Sequence, residues 1–129
     1  EILYAYEQSN KQIAEALKAA GVAGSVVWCD SAEPRTIAEL RALGINAMAA
    51  KKGPDSITAG IKLMKAFKRI NMTADSTNAR KEQRNYKYKQ TKDGVYLDEP
   101  VDSFNHYFDA ARYGAVMTWG KLNTLDNLL

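Results

Sequence analysis

The feature that most constrains the fold of this chain is a short apolar run that is followed by an acidic residue and then by the start of a helix. Residues 26–29 are continuously apolar, a pattern typical of a strand covered on both faces of a sheet. Asp30 follows directly, and Pro34 suits the first turn of a helix. Residues 46–50, which come after that helix, are predicted to form another short strand. The order of strand, helix and strand predicts part of an α/β sheet.

Local signals predict the remaining elements. Residues 2–6 are apolar enough for a strand, and Ser9 with Gln12 are spaced as a capping box for a helix that ends at Gly21. The apolar stripe expected on that helix consists of Ile13, Ala16, Leu17 and Ala20. Residues 69–73 are a further candidate strand.

The second half of the chain predicts three helices and a hairpin. The first helix begins at Asp55 or Ser56, and the polar second helix covers residues 76–86. Asp93-Gly94 supplies the turn of a hairpin between residues 86–89 and 95–97, so the sheet is not purely parallel. Asp102 or Ser103 caps the last helix. Apolar residues expected to pack are Ile57, Ile61 and Met64 in the first helix, Phe104, Phe108, Ala111 and Ala115 near the last, and Leu122, Leu125, Leu128 and Leu129 beyond it.

Size and composition fit one folded domain over residues 1–129. The sequence is 46% hydrophobic, which excludes a disordered chain. Its 18 Lys and Arg against 15 Asp and Glu give a net charge of +3, which permits an anionic partner without requiring one. The sole cysteine, Cys29, cannot form an internal disulfide, which fits a reducing compartment. No apolar run is long enough to cross a membrane.

Positive charge is concentrated in residues 80–92. The single acid of this segment, Glu82, is accompanied by Arg80, Lys81, Arg84, Lys87, Lys89 and Lys92. Such a segment favours a patch that binds phosphate groups, and a solvated helix face is the structural alternative. The residues proposed to contact phosphate are Lys51, Lys52, Arg84, Lys87 and Lys89.

The last predicted helix carries polar residues at helical spacing. Asn105 and Asp109 are four positions apart, and His106 and Asp109 are three apart, so all three share one face. If Asp30 meets this helix at one end of the sheet, Asp30, His106 and Asp109 converge on a divalent metal. Acidic oxygen ligands favour Mg²⁺ or Mn²⁺ over a structural zinc site. Two such ions about 3.5–4 Å apart would hydrolyse a phosphodiester, so the pattern predicts nuclease chemistry.

Each candidate also has a structural use. Asp30 can bond the following loop or helix N-terminus, and His106 can be an ordinary, partly buried histidine. Glu33 either complements the dipole of the next helix or reaches a metal directly or through water. The residues alone leave both uses open, and Glu33 and Asn105 are given supporting roles.

Several motifs occur in a defined order over most of the chain. They are Asp30-Ser-Ala-Glu-Pro-Arg-Thr-Ile-Ala-Glu-Leu40, Gly44-Ile45, Lys52-Gly53, Ser56-Ile57, Gly60-Ile61, Asp93-Gly94 and Pro100-Val-Asp-Ser-Phe-Asn-His-Tyr-Phe-Asp-Ala-Ala-Arg-Tyr113. In this order they resemble the nuclease domain of the tailed-phage terminase large subunit, the DNA-packaging motor protein. Their order is more specific than any single motif.

The resemblance implies an RNase H-like mixed sheet flanked by helices, and metal-dependent endonucleolytic cutting of concatemeric viral DNA. It makes Asp30 the central metal-bridging carboxylate, Asp109 the late carboxylate and His106 a neighbouring metal-site residue. Asn105 would orient that site. The implied cofactors are Mg²⁺ or Mn²⁺, with two ions bound.

The resemblance also implies parts that lie outside this sequence. The family's first catalytic Asp lies on an earlier strand, for which we find no counterpart, so we expect a fragment that lacks the opening strands of its domain. No Gly-x-x-x-x-Gly-Lys-Ser/Thr phosphate loop occurs. The implied partners are double-stranded DNA, a terminase ATPase domain, the small terminase subunit and the portal, without a membrane. The implied location is the host-cell cytoplasm, at viral procapsids.

Two other functions remain open from the sequence. A non-catalytic DNA-binding or packaging-motor assembly module could keep the same fold, because the first carboxylate is missing. An unrelated α/β domain for a small ligand could use the acids only to cap helices.

Overall fold

Helices and short strands alternate in the computed structural model, which describes residues 1–53 and 55–120. The elements are α1 Asn10–Ala19, β1 Val27–Cys29, α2 Pro34–Ala42, β2 Ala47–Ala49, α3 Ser56–Ala66, α4 Thr77–Asn85, β3 Tyr88–Gln90, β4 Tyr96–Pro100 and α5 His106–Trp119. Contacts divide them between two units, Glu1–Lys52 and a second that starts at Gly53. The predicted mixture of helices and strands is confirmed, and the single domain stays a prediction.

α1 begins with the predicted capping box. Ser9 Oγ accepts the Gln12 N–H at 3.2 Å, and the Ser9 N–H donates to Gln12 Oε1 at 2.9 Å. These bonds satisfy amide donors that a helix start leaves unpaired. The buried face differs from the predicted stripe: Ala14 is buried, whereas Ala20 is exposed because it lies at the C-cap, beyond the last helical residue.

β1 and β2 form the parallel pair of the first unit. Val27, Trp28 and Cys29 pair with Ala47, Met48 and Ala49. α2 connects the two strands and begins at Pro34 as predicted. This connection leaves Asp30 directly after β1, at the carboxyl end of the strand.

The core of the first unit lies between its helices and its sheet. Its buried members are Ala14, Ile37, Leu40, Ile45 and Ala47, and the half-buried side chains around them include Ile13, Leu17, Val27 and Cys29. Burial raises the pKa of the Cys29 thiol, so less reactive thiolate forms at neutral pH. The prediction that β1 is covered on both faces of the sheet was wrong: all three of its side chains are only half-buried.

The second unit contains the predicted hairpin and three helices. β3 and β4 are antiparallel, and Gly94 in the connecting turn has a φ of +85°, a conformation that glycine adopts without steric cost. α5 packs against both α3 and α4. On α3 the buried residues are Gly60 and Leu63, while Ile57 is 44% exposed, so the buried face of α3 is rotated from the predicted one.

Two predicted strands are absent from the described residues. Residues 2–6 and 69–73 form no strand, and Ile2 and Ile70 are 50% and 45% exposed. A strand needs a neighbouring strand to bond its amide and carbonyl groups, and the two strand pairs of the described residues use other segments. The strand prediction from apolar composition alone was therefore wrong in both places.

The start of α5 also differs from the prediction. Its N-cap is Asn105, whereas the Asp102 carboxylate pairs with Lys89 Nζ at 2.9 Å. Phe104, just before it, has a φ of 57°, a left-handed conformation that costs an L-residue roughly 1–2 kcal/mol. The helix therefore begins after this turn, at His106. The predicted packing of Leu122 and the leucines after it lies outside the described residues.

Gly60→Ala is expected to destabilise the protein, although alanine favours a helix interior over glycine by about 1 kcal/mol. An added Cβ at Gly60 would lie 2.4 Å from Arg112 Cγ and 2.6 Å from Arg112 Cδ. Overpacking of this kind costs about 1–3 kcal/mol, so the urea unfolding midpoint should fall.

Gly114→Ala in α5 is the matched control for this substitution. Nothing lies within 4 Å of a Cβ built at Gly114, so the change should raise the midpoint. Equal stabilisation by both substitutions would contradict the close approach of α3 to Arg112.

Candidate metal centre

Asp30 lies in the loop between β1 and α2, where local bonds hold its carboxylate. Its Oδ1 accepts the Ala32 N–H at 2.8 Å, and its backbone carbonyl accepts the Glu33 N–H at 3.2 Å. Lys52 Nζ lies 2.5 Å from the same Oδ1. The Asp30 side chain is 41% exposed, so this carboxylate is oriented by the loop and still accessible to a ligand.

Glu33 lies in the same loop as Asp30, three residues after it, and both Glu33 and Lys51 are exposed. Glu33 occupies the N-cap position of α2 but makes no side-chain capping bond there. Its carboxylate therefore makes no capping hydrogen bond to the helix N-terminus. Whether Glu33 complements the helix dipole or reaches a metal stays a prediction.

Asp109 is held on α5 by two neighbours from the same helix end. Arg112 Nη2 donates to Asp109 Oδ1 at 2.7 Å, and Asn105 Nδ2 donates to Asp109 Oδ2 at 3.3 Å. The side chain of Arg112 is 6% exposed and that of Asp109 is 33% exposed. Each carboxylate oxygen thus has a named donor, while one side of the group remains open to solvent.

The amide end of α5 is bonded from another helix. The Tyr107 N–H donates to Glu82 Oε2 at 2.6 Å, and the residue Glu82 is 2% exposed on α4. His106 precedes Tyr107 and is exposed. The first turn of α5, which carries His106 and Asp109, is therefore tied to α4 through its backbone.

An aromatic stack connects the same two segments. The rings of Tyr86 and Phe108 are 4.6 Å apart and inclined by 13°. Burial raises the pKa of the Tyr86 hydroxyl, and the negative charge of Asp109 raises it further. Tyr86 is thus close enough to the Asp109 carboxylate to respond to its charge.

The predicted phosphate-binding residues of the second unit differ in whether an acidic side chain already pairs with them. Lys89 Nζ lies 2.7 Å from Glu99 Oε1 and 2.9 Å from Asp102 Oδ2. The hydrogen bonds that Lys89 donates, first to Glu99 and then to Asp102, raise the pKa of its ammonium group. Arg84 and Lys87 are exposed. The charge of Lys89 is balanced within the chain, so it has less to offer a phosphate than a solvated lysine.

Sequence reasoning missed Arg112 and Glu82 as parts of this arrangement. The signal for Arg112 was its position three residues after Asp109, which places the two on one helix face. The signal for Glu82 was its isolation as the single acid among basic residues. Neither pattern indicated burial, because burial depends on partners remote in the sequence.

The structure describes the two parts of the predicted centre in different units. Asp30 belongs to the first, and His106 and Asp109 belong to the second. Among residues 1–53 and 55–120, no group of three or more His, Cys, Asp and Glu side chains is gathered closely enough to hold a metal ion. The convergence of Asp30, His106 and Asp109 stays a prediction.

Comparison with known proteins identifies the family to which this chain belongs. Residues 1–116 match the terminase RNase H-like domain family. The chain belongs to this family. The terminase chain is also similar to a solved structure, the g2p (large terminase) nuclease domain from bacteriophage SPP1 with bound Mn. The two share 31% sequence identity and a TM-score of 0.81.

The SPP1 comparison covers 89% of this terminase chain, which spans 66% of the SPP1 chain. The RNase H-like fold and the terminase family predicted from the motif order are therefore confirmed. No curated protein matches the chain. Within the described residues, every helix is too short or too polar to span a membrane.

Asp109→Ala is expected to lower the free energy of unfolding by about 1–3 kcal/mol, because it leaves the buried Arg112 guanidinium without its carboxylate. Asp30→Ala should cost about 1 kcal/mol or less, since Asp30 and Lys52 form a partly exposed pair. Urea unfolding of both variants measures the difference. Equal costs would contradict the burial of Arg112 against Asp109.

Proposed function

We propose that this chain supplies carboxylates of the metal-dependent active site with which a packaging terminase cuts concatemeric double-stranded DNA. The observation that carries the proposal is the Asp109 carboxylate, which Asn105 and Arg112 orient on the helix that begins with His106. Membership of the terminase family supports nuclease activity. The similar SPP1 domain was solved with bound Mn, which supports a divalent ion.

The donor chemistry of Asp30 and Asp109 fits magnesium or manganese. Carboxylate oxygens are the ligands that these ions prefer, and the two side chains are 41% and 33% exposed. Asp30, Asp109 and His106 would hold the ions, with Glu33 in support on the Asp30 loop. When bound, two ions supply an activated water and stabilise the leaving oxygen of the phosphodiester.

The chain's own side chains orient this centre and balance its charge. Asn105 and Arg112 keep the two Asp109 oxygens in a defined direction, as outer ligands of metal sites commonly do. Lys52 neutralises Asp30 in the structure described here. We propose that Lys52 would contact a DNA phosphate if Asp30 held a metal ion, because the ion would then balance the charge of the Asp30 carboxylate.

Basic residues next to the hairpin would position the DNA backbone. Lys87 lines a cleft of about 140 Å³ in the second unit. The other residues that line the cleft are Ile61, Lys65, Tyr86, Tyr88 and Pro100. Lys65 Nζ donates to the Tyr88 hydroxyl at 3.1 Å, which fixes a second cation at this cleft. Arg84, Lys87 and Lys51 would contact phosphates without reading base sequence, so sequence preference should be low.

The wider assembly follows from the same proposal. A terminase nuclease would act beside its ATPase domain, with the small terminase subunit and the portal as partners. Its work would take place in the host-cell cytoplasm, at the procapsids that receive the DNA.

A non-catalytic DNA-binding or packaging-motor assembly module is the second candidate. The observation in its favour is that Arg84 and Lys87 are exposed, so they can contact DNA phosphates without a metal ion. DNA affinity with a steep salt dependence and no cleavage would support this candidate against the first.

Asp30→Asn and Asp109→Asn are each expected to abolish Mn²⁺-dependent nicking of plasmid DNA. The assay uses the full-length terminase protein that contains this chain, since the family resemblance implies a further catalytic carboxylate on an earlier strand. Amides keep the shape of the side chain and remove the charge that binds the ion. Loss should exceed about 100-fold, in keeping with removal of metal-site stabilisation.

Glu15→Gln on α1 is the matched control for this loss of charge, because Glu15 is an exposed carboxylate paired only loosely with Lys11 at 4.0 Å. It should cut DNA like the parent protein. Undiminished cleavage by Asp30→Asn and Asp109→Asn would rule out the proposed centre.

Replacing Arg84 and Lys87 together by Gln is expected to weaken DNA binding and to reduce the dependence of log K on log salt. Each lost phosphate contact should lower that slope by roughly 0.9. Lys89→Gln should change both quantities less, because Glu99 and Asp102 already balance its charge. Titration of a labelled duplex at several salt concentrations measures the slopes. A larger effect from Lys89→Gln would contradict this assignment.

A further inference from the structure

Glu82 is a buried acidic residue that accepts a hydrogen bond from the backbone of another helix. It is 2% exposed, and no other Asp or Glu of the described residues is buried to this degree. A carboxylate in such a position is costly unless it is well hydrogen-bonded. Its Oε2 accepts the Tyr107 N–H at 2.6 Å, from a residue 25 positions away. The bond therefore connects α4 to the first turn of α5.

This connection supplies what the start of α5 lacks. The N-cap residue Asn105 makes no side-chain capping bond, and its side-chain nitrogen donates to Asp109. The first amides of a helix have no hydrogen-bond acceptor within the helix. Glu82 provides that acceptor from a neighbouring helix.

Two contacts from one segment enclose the polar turn. Glu82 bonds the Tyr107 amide, and four residues later Tyr86 stacks on Phe108 at 4.6 Å. Tyr107 and Phe108 are the residues between His106 and Asp109. The backbone between these two proposed metal-site residues is thus held on the side of α4.

We propose that Glu82 is a positioning residue for the metal centre. By bonding the Tyr107 amide, it sets the direction in which the first turn of α5 presents His106 and Asp109. This inference rests on the proposed nuclease function. Glu82 lies in the basic segment of residues 80–92, but the role proposed for it does not involve phosphate binding.

The test, in the full-length terminase chain, separates the effect of the length of the Glu82 side chain from the effect of its charge. Glu82→Gln keeps the carbonyl oxygen at the same distance and removes the charge. Glu82→Asp keeps the charge and withdraws the oxygen by one methylene. Gln83→Asn, a shortening by the same methylene at the exposed neighbouring position, is the control.

Three quantities are measured at a temperature where circular dichroism shows every variant folded. They are hydrogen exchange of the 105–109 segment, Mn²⁺ affinity by calorimetry, and kcat with KM for DNA cleavage. Glu82→Asp should accelerate exchange and weaken Mn²⁺ binding about 10-fold, in the range seen when outer partners of metal ligands are removed. Its kcat should fall with KM unchanged, and Glu82→Gln should stay close to the parent protein.

The opposite order, with Glu82→Gln impaired and Glu82→Asp intact, would overturn the proposal, because charge rather than reach would then matter. Parent-like Mn²⁺ affinity in Glu82→Asp would also overturn it and leave Glu82 a purely structural role. Failure of the nuclease function itself is recognised separately: Asp109→Asn would then leave Mn²⁺ binding unchanged, while hydrogen exchange still reports whether Glu82 holds the turn.

Discussion

The ion pair between the buried guanidinium of Arg112 and the carboxylate of Asp109 is the interaction on which the second unit depends most. Its 2.7 Å bond gives the buried cation a partner, which burial would otherwise make costly. The same pair requires α3 to approach without a side chain, and Gly60 meets that requirement. Packing of the helices and orientation of the proposed metal ligand are therefore consequences of one contact.

Local signals in the sequence predicted much of this architecture. The capping box of Ser9 and Gln12, the helix start at Pro34 and the turn at Gly94 depend on residues within a few positions of one another, and all three are present in the structure. The strand that delivers Asp30 was also predictable, because its apolar run is bounded by an acid. The order of the motifs between Asp30 and Tyr113, more than any one of them, predicted the terminase family.

Other features could not be predicted, because they depend on residues far apart in the chain. Residues 2–6 have the composition of a strand, but a strand forms only where another offers its hydrogen bonds. The burial of Glu82 needs the amide of Tyr107, and nothing at position 82 indicates that donor. Spacing along α5 predicted that Asn105 and Asp109 share a face, and the structure adds the bond between them.

The central claim, that Asp30 and Asp109 bind the same metal centre, is tested most directly by anomalous diffraction. Crystals of the full-length terminase protein that contains this chain would be soaked in manganese chloride. The account predicts manganese peaks bonded to carboxylate oxygens of both Asp30 and Asp109, at about 2.0–2.2 Å as for similar hard cations. Manganese bound to neither residue, or to only one of them, would contradict the account.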